Sequence, residues 1–504
     1  MSIGRTRSIA LLGLTGTVVD IEVDIASGLP ALVLIGLPDA SLGEAKDRVR
    51  SAITNSGFTM PPTRVTVNLS PASLPKQGSV FDLGIAMAIL SGTGAVSGES
   101  VSDTVHVGEL ALDGRVRPVA GVLPAVVAAR DAGIRRVMVP AGNRSEAELV
   151  PGIDVIAVAS IRHAMAAHGA DIEVGDVVGL AAPVDDSVVG SDRDLSDVVG
   201  QPDVVEALIV AAAGGHHVYM LGAPGAGKTM LAERLVDILP DLSPEHSLEV
   251  TSIASLSRLA KTSALITRPP FEAPHHTATA VSIVGGGSGL IRPGAVSRAS
   301  RGVLFLDEAP EFSPAVIDAL RQPLESGDIV IHRSHQVARF PAHVQLVLAA
   351  NPCPCGQAGL ADSDCVCTPD RRRRYRSRIS GPVLDRIDIH LPVRRVPRAA
   401  MLDGSRTGTT TVDARSAVVR ARESLRERWP DGRPIATELR SGRFRLPSAV
   451  SAPIDLALDR GALSMRGYDR ALRIAWTLAD LAGTTTPTRE HVDRALTLRK
   501  GLTP

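Results

Sequence analysis

The apolar positions along this chain change rhythm from one stretch to the next, and the changes divide it. Over residues 1–170, short β-like runs (Val18–Ile25, Ala31–Ile35, Val65–Leu69, Val105–Val107, Val137–Val139) alternate with helix-period stretches (Ala40–Ser56, Phe81–Leu90, Val122–Ala132). That alternation predicts an α/β domain. Its first apolar stretch, Ile9–Val19, is broken by Gly13, Thr15, Gly16 and Thr17 and runs into Asp20, Glu22 and Asp24. It therefore reads as a strand rather than a secretory leader. Residues 171–195 lose periodicity, gain Asp, Gly and Ser, and read as a linker. Strand-like apolar runs return within 196–395, at His217–Leu221, Val303–Leu306 and Gln345–Ala350. A polar hinge over 401–413 introduces 396–504, where Ala414–Arg428, Ser448–Arg460, Met465–Leu481 and Arg489–Arg499 read as helices of an all-α lid. No apolar run is long enough to span a bilayer, so the expectation is a cytoplasmic protein without membrane contact.

Composition narrows the class. A chain of 504 residues, 44% hydrophobic and 21% charged, is a soluble globular protein of about two to four domains. Aromatics are only 2%, so its cores must be built from Ala, Val, Leu and Ile. Formal net charge is zero, which argues against a globally basic nucleic-acid binder; any polyanion contact must come from local patches.

Chemistry concentrates in two segments. Gly222-Ala223-Pro224-Gly225-Ala226-Gly227-Lys228-Thr229 fits GxxxxGK[ST]. Glycines at these positions let backbone N–H groups close around phosphates, the lysine reaches β/γ oxygens and the threonine hydroxyl ligates Mg²⁺. The strand before the loop and the amphipathic helix Thr229–Leu239 after it, stopped by Pro240, supply the context the motif needs. Val303–Leu306 ends in Asp307 and Glu308, suited to holding the Mg²⁺ hydration shell and polarising an attacking water. The chain has only five lysines, so one at the end of this loop is informative. A Gly-rich turn beside a core strand would explain neither Lys228 nor the paired acids. ATP and Mg²⁺ are the expected cofactors.

Further polar residues extend the set. Asn351, at the tip of Gln345–Ala350, suits a water-orienting role, the alternative being a plain strand-end turn residue. Arg386 follows the apolar turn of Gly381–Asp385; it could reach a neighbouring subunit's γ-phosphate, or form a surface salt bridge with Asp385 or Asp388. Arg466, in Ser464-Met-Arg-Gly467, could contact phosphate within its own subunit, with Arg470 and Arg473 on nearby turns as rivals.

Taken in order, these motifs resemble AAA+ ATPases of the helix-2-insert group, which includes magnesium-chelatase ATPase subunits and minichromosome maintenance helicases. The wording of Ala273-Pro-His-His-Thr-Ala278, Arg301–Glu308, Asn351-Pro-Cys-Pro-Cys-Gly356 and Tyr375–Pro382 is similar to the YifB/ComM branch, and the likeness covers essentially the whole chain. It implies a P-loop AAA+ core, a helical lid, a homohexameric ring and ATP-driven work on DNA, single-stranded or branched, of the branch-migration helicase kind. One departure is Gln322, where the family usually carries a carboxylate. The long stretch between Lys228 and Asp307, with Gly285–Gly289 inside it, implies an inserted hairpin. A second hairpin, Ile329–Val337, carries Arg333 at the place where related helicases grip the DNA backbone; the alternative is a solvated turn.

Residues 1–170 resemble a Lon-protease domain through Pro75-Lys-Gln-Gly78, Phe81-Asp-Leu83 and Leu112–Gly121. Alignment puts Val80 at the nucleophile and Leu123 at the catalytic lysine, so the resemblance implies an inactive domain; Ser79 and Lys76 lie nearby. All four cysteines cluster as Cys353-Pro-Cys355 and Cys365-Val-Cys367. In a reducing compartment four thiolates suit Zn²⁺, with free thiols or a redox pair as alternatives. The basic run Arg371–Arg378, with Tyr375 available for stacking, could bind nucleic acid or form subunit contacts. Two other functions fit the same motor: a chelatase-type subunit driving metal insertion with a partner, and a protein-remodelling ATPase.

Overall fold

The computed structural model describes residues 2–36, 39–72, 74, 76, 78–175, 179–180, 193–257, 263–287, 291–333, 336–358, 365–396, 408–430, 432 and 434–501, the side chains of 39–43, 333 and 336 excepted. Most of the expected linker (181–192) and hinge (401–407) lies outside the described residues.

The N-terminal part is a seven-stranded mixed sheet, in the order Ala31–Ile35, Arg64–Ser70, Thr15–Ala26, Ser2–Leu12, Thr104–His106, Arg136–Pro140, Asp154–Val158. The apolar stretch at the start is not one strand. It is the turn of an antiparallel hairpin, Ser2–Leu12 with Thr15–Ala26, reversing at Gly13–Leu14. The breaks at Gly13, Thr15 and Gly16 mark that reversal. Helix Asp82–Gly92, almost wholly buried, and helix Asp39–Asn55 pack on this sheet; Val122–Asp131 backs it in a second apolar cluster.

The second sheet has five parallel strands, ordered Phe271–Glu272, Val303–Leu306, Gln345–Ala350, Val218–Leu221, Ile389–Pro392. Val303–Leu306 and Gln345–Ala350 are buried throughout, as parallel strands covered on both faces must be, which is why they read as unbroken apolar runs. Ligands of such sheets collect at the carboxyl ends of the strands. Gly222, Asp307, Asn351 and Val393 each follow such an end directly.

The C-terminal helices Thr411–Arg428, Ser448–Asp459, Met465–Leu481 and Arg489–Lys500 lie close to their expected bounds. They share one apolar core with the second sheet, through helix Pro202–Gly214. Both tryptophans are spent here: Trp476 packs edge to face with Trp429 and with Phe444, those two rings are tilted against each other, and the Arg428 guanidinium lies 4.9 Å from the Trp476 ring centre.

Two hairpins interrupt the nucleotide half. Gly285–Gly286 pairs with Arg292–Pro293, and Asp328–Arg333 pairs with Gln336–Pro341. The second hairpin is seated on the N-terminal sheet: Gly13 bridges Arg339, and Ala338 and Phe340 bury against Leu11, Leu12, Leu14 and Leu256. Helix Pro244–Ser257 makes a second seat, where the Gly121 N–H donates to the Ser255 carbonyl at 3.3 Å. Among the described residues no helix is long and apolar enough to cross a membrane.

Candidate active site

The phosphate loop joins strand Val218–Leu221 to helix Lys228–Asp237. Gly222 must lack a side chain, because a Cβ there would stand 2.3 Å from the Val393 carbonyl oxygen. Gly227 caps the helix at φ 91°, turning the loop so that the helix N-terminus and its free N–H groups face the strand ends. The Lys228 ammonium donates to the Gly222 carbonyl at 2.7 Å, to that of Ala223 at 3.1 Å and to Asn351 Oδ1 at 3.0 Å. Burial lowers its pKa, while Asp307 and Glu308 act to raise it.

Thr229 Oγ1 donates to Asp307 Oδ2 at 2.8 Å. A hydroxyl and a carboxylate this close are hard oxygen donors that fit Mg²⁺, which keeps most of its own waters. Asp307 Oδ1 accepts the Glu308 N–H at 2.8 Å, and Glu308 itself sits in the left-handed region, φ 50°. A non-glycine residue there costs roughly 1 kcal/mol or more, a strain that collects at functional sites. The carboxylate is exposed, and His276 Nδ1 lies 3.5 Å from its Oε2. His276 belongs to the Ala273–Ala278 motif, whose spacing does not say what the imidazole meets. The contact arises because Phe271–Glu272 pairs with Val303–Leu304, bringing the segment after one strand beside the segment after the other.

Three family models cover most of the chain: "Magnesium chelatase, subunit ChlI" over 194–401, "Subunit ChlI of Mg-chelatase" over 21–143, and "Magnesium chelatase, subunit ChlI C-terminal" over 408–499. A Mycobacterium tuberculosis protein is 49% identical across 99% of both chains. The Competence protein ComM of Haemophilus influenzae is 37% identical over 99% of this chain and 98% of its own, and YifB of Escherichia coli 37% over 99% and 97%. The chain belongs to the YifB/ComM family of magnesium-chelatase-like proteins. This is a family of AAA+ ATPase type, which implies ATP and Mg²⁺, and the second sheet with its helical C-terminal part is its P-loop core. A partial likeness to a Lon protease of Lachnoclostridium phytofermentans, 30% identity over 32% of this chain and 22% of the protease, accompanies the Lon-like N-terminal fold.

The remaining residues of this family's motifs fall into separate groups. Arg386 is buried and pairs with Glu325 Oε2 at 2.8 Å, not with Asp385 or Asp388. Arg466 approaches the other oxygen of Glu325 at 3.7 Å, so the two arginines converge on one carboxylate, which Arg386 holds below the usual range. Arg470 is committed elsewhere, donating to the Asp385 carbonyl and to buried Asp388. Burial would raise Asp388, but Arg470, Arg473 and His216 hold it well below normal. Arg333 ends its strand opposite Gln336; its side chain lies outside the described residues.

The four cysteine sulfurs lie within 4.8 Å of one another. Cys353 and Cys355 are 3.3 Å apart, Cys353 and Cys365 3.7 Å, Cys355 and Cys365 3.6 Å. A tetrahedral Zn²⁺ with four thiolates requires sulfurs about 3.8 Å apart. The Ala358 N–H and the Arg372 guanidinium donate to Cys353 and Cys365 sulfurs at 3.4 and 3.2 Å, as outer-shell donors to thiolates do. Tyr375, expected to be free for stacking, is 4% exposed; burial and the nearby Glu311 and Glu308 push its hydroxyl pKa far up. In the N-terminal domain Ser79 donates to Glu109, and Lys76 donates to the Pro71 and Leu74 carbonyls rather than to Ser79. Leu123 is buried in an apolar cluster that Val80 packs against.

Proposed function

We propose that this chain is one subunit of a ring-shaped, cytoplasmic ATP-driven motor that translocates on or remodels DNA, in the manner of a branch-migration helicase. The observation that carries it is the convergence of Lys228, Thr229, Asp307, Glu308 and Asn351 at adjacent strand ends, in a chain alike over its full length to a competence protein. Lys228 and the loop N–H groups would hold the phosphates of ATP. Thr229 and Asp307 would hold Mg²⁺, which supplies charge neutralisation at the β and γ oxygens. Glu308 polarises the attacking water and Asn351 orients it. Arg386 reaches the ATP of the next subunit in a homohexamer, and Arg466, at the same carboxylate, contacts phosphate. Arg333, repeated around the ring, meets DNA that is single-stranded or branched.

The division of labour follows: an inactive Lon-like domain over 1–170, a linker over 171–195, the ATPase core over 196–395 and the lid over 396–504. Neither Ser79 nor Lys76 has the other as partner, which supports a non-proteolytic role. The cysteines hold Zn²⁺; the sulfur spacing supports this, and one metal per chain by elemental analysis of tag-free protein tests it. For the motor, the test is ATP turnover with and without single-stranded, duplex and branched DNA. Stimulation by DNA is expected. Stimulation by a partner protein alone would replace this reading with a chelatase-type or protein-remodelling motor.

A further inference from the structure

The cysteine cluster does not stand apart from the nucleotide site. Its first cysteine lies two residues beyond Asn351, whose Oδ1 accepts from Lys228 at 3.0 Å. The turn that carries Cys355 ends at Gly356, which lies on the phosphate loop. A Cβ at Gly356 would stand 2.5 Å from two ring carbons of Pro224, and its φ of +75° is one that side chains rarely adopt. The second pair of cysteines leads into helix Pro369–Arg376. That helix returns to the first pair: Arg372 donates to the Cys365 sulfur at 3.2 Å and Arg376 to the Pro352 carbonyl at 3.4 Å. Just beyond it, Arg378 donates to the Pro310 carbonyl at 3.2 Å and to Glu311 at 3.0 Å, on the segment that follows Glu308.

Residues flanking the cluster therefore touch the phosphate loop and the acidic strand's exit, and Asn351 lies two residues before its first cysteine. We propose that Zn²⁺ held by Cys353, Cys355, Cys365 and Cys367 is a strut of the nucleotide site, clamping Asn351 and Gly356 so that the phosphate loop keeps its binding shape. This rests on the reading of the four cysteines as a zinc centre. Four thiolates and one Zn²⁺ carry a net charge of −2, which the Arg372 guanidinium beside Cys365 partly offsets. With the metal gone, those thiols lose their common partner. The contact that presses Gly356 on Pro224 is then backed only by the hydrogen bonds from the Gly356 N–H to the Cys353 carbonyl, 2.9 Å, and from Arg376 to the Pro352 carbonyl.

The experiment compares four forms of the full-length, tag-free protein in constant Mg²⁺: as isolated, stripped of zinc by a chelator that is then removed, Cys365→Ser, and Gly356→Ala. Zinc content is read by elemental analysis and ATP affinity with a fluorescent ATP analogue. Stripped protein and Cys365→Ser should bind the analogue about tenfold more weakly, ~1.4 kcal/mol. Zinc should restore the stripped wild type and not the variant. Gly356→Ala should keep its zinc and still lose affinity, because the added methyl meets Pro224. Stripped protein that binds the analogue like the loaded form overturns the strut and leaves the zinc centre standing. Absence of zinc from the isolated wild type overturns the centre itself, and the strut with it. Should Cys365→Ser fail to fold, the stripped and reloaded wild type decides.

Discussion

In the proposed ATPase reaction Lys228 and Glu308 act at different moments, and substitution separates them. Lys228→Ala removes the ammonium that spans the loop and Asn351, and nucleotide binding should be lost. Glu308→Gln keeps the shape and loses the base: ATP should bind normally while turnover falls roughly 100-fold or more. Normal turnover in that variant would take Glu308 out of its role. Arg386→Ala should likewise bind ATP and fail to turn it over. Mixing it with Lys228→Ala subunits should recover part of the rate, at interfaces pairing the intact halves. No recovery in confirmed mixed rings would count against action on the neighbour. The placement of Lys228, Thr229, Asp307 and Glu308 beside neighbouring strand ends was legible because each sits at a fixed offset from a strand. Glu325 and His276 were not, because what they meet depends on how separate strands and helices pack.

At the scale of elements, the hairpin Asp328–Pro341 carries the cleanest test of DNA contact. Arg333→Ala should weaken DNA binding and leave DNA-independent ATP hydrolysis intact. It should also flatten the log–log salt dependence by about one unit for each phosphate the arginine had neutralised. An unchanged slope would point to the basic run Arg371–Arg378 instead. The strand Thr104–His106 offers a pH test. His106 Nε2 and His168 Nε2 are 2.8 Å apart, with Thr6 and Ser100 on the outer nitrogens. Burial first, then Arg136, lowers His168 from 6.5 to about 4. The unfolded chain protonates below 6.5 and the fold does not until about 4, so this stability is present above 6.5 and lost as pH falls to 4. The loss is about 3 kcal/mol. Asp82, raised to about 6 by burial, works in the opposite sense, so the comparison that isolates the pair is His168→Asn. Hydrogen exchange of Thr104–His106 should depend less on pH in the variant; equal dependence would refute the assignment. The lid helices and the α/β alternation were legible because their periodicity is local. The reversal at Gly13–Leu14, the strand Asp154–Val158 and the helix Pro202–Gly214 were not, being short, turn-like or apolar on most sides.

Across the whole molecule, the two sheets are held by more than the chain that runs between them. The hairpin Asp328–Pro341 rests on the N-terminal sheet's first hairpin at Gly13, and helix Pro244–Ser257 rests on the start of helix Val122–Asp131 at Gly121, with Leu256 and Phe340 buried between. The seat of the hairpin that carries Arg333 is thus supplied by the Lon-like N-terminal domain. A length of chain without regular periodicity says nothing of such a joint, so no amount of reading residues 171–195 could reveal it.

If the joint is as strong as its buried seam suggests, the peptide connection should be redundant as a tether. A specific protease site engineered into residues 171–195 and cut to completion should leave the two pieces travelling together through gel filtration, at the size of the uncut protein. Heating should then release both in one melting event rather than two, because the N-terminal piece gives up Leu11, Leu12 and Leu14 only when the nucleotide half gives up Phe340 and Leu256. Pieces that separate on the column at room temperature would show that covalent continuity, not the buried seam, keeps this protein whole.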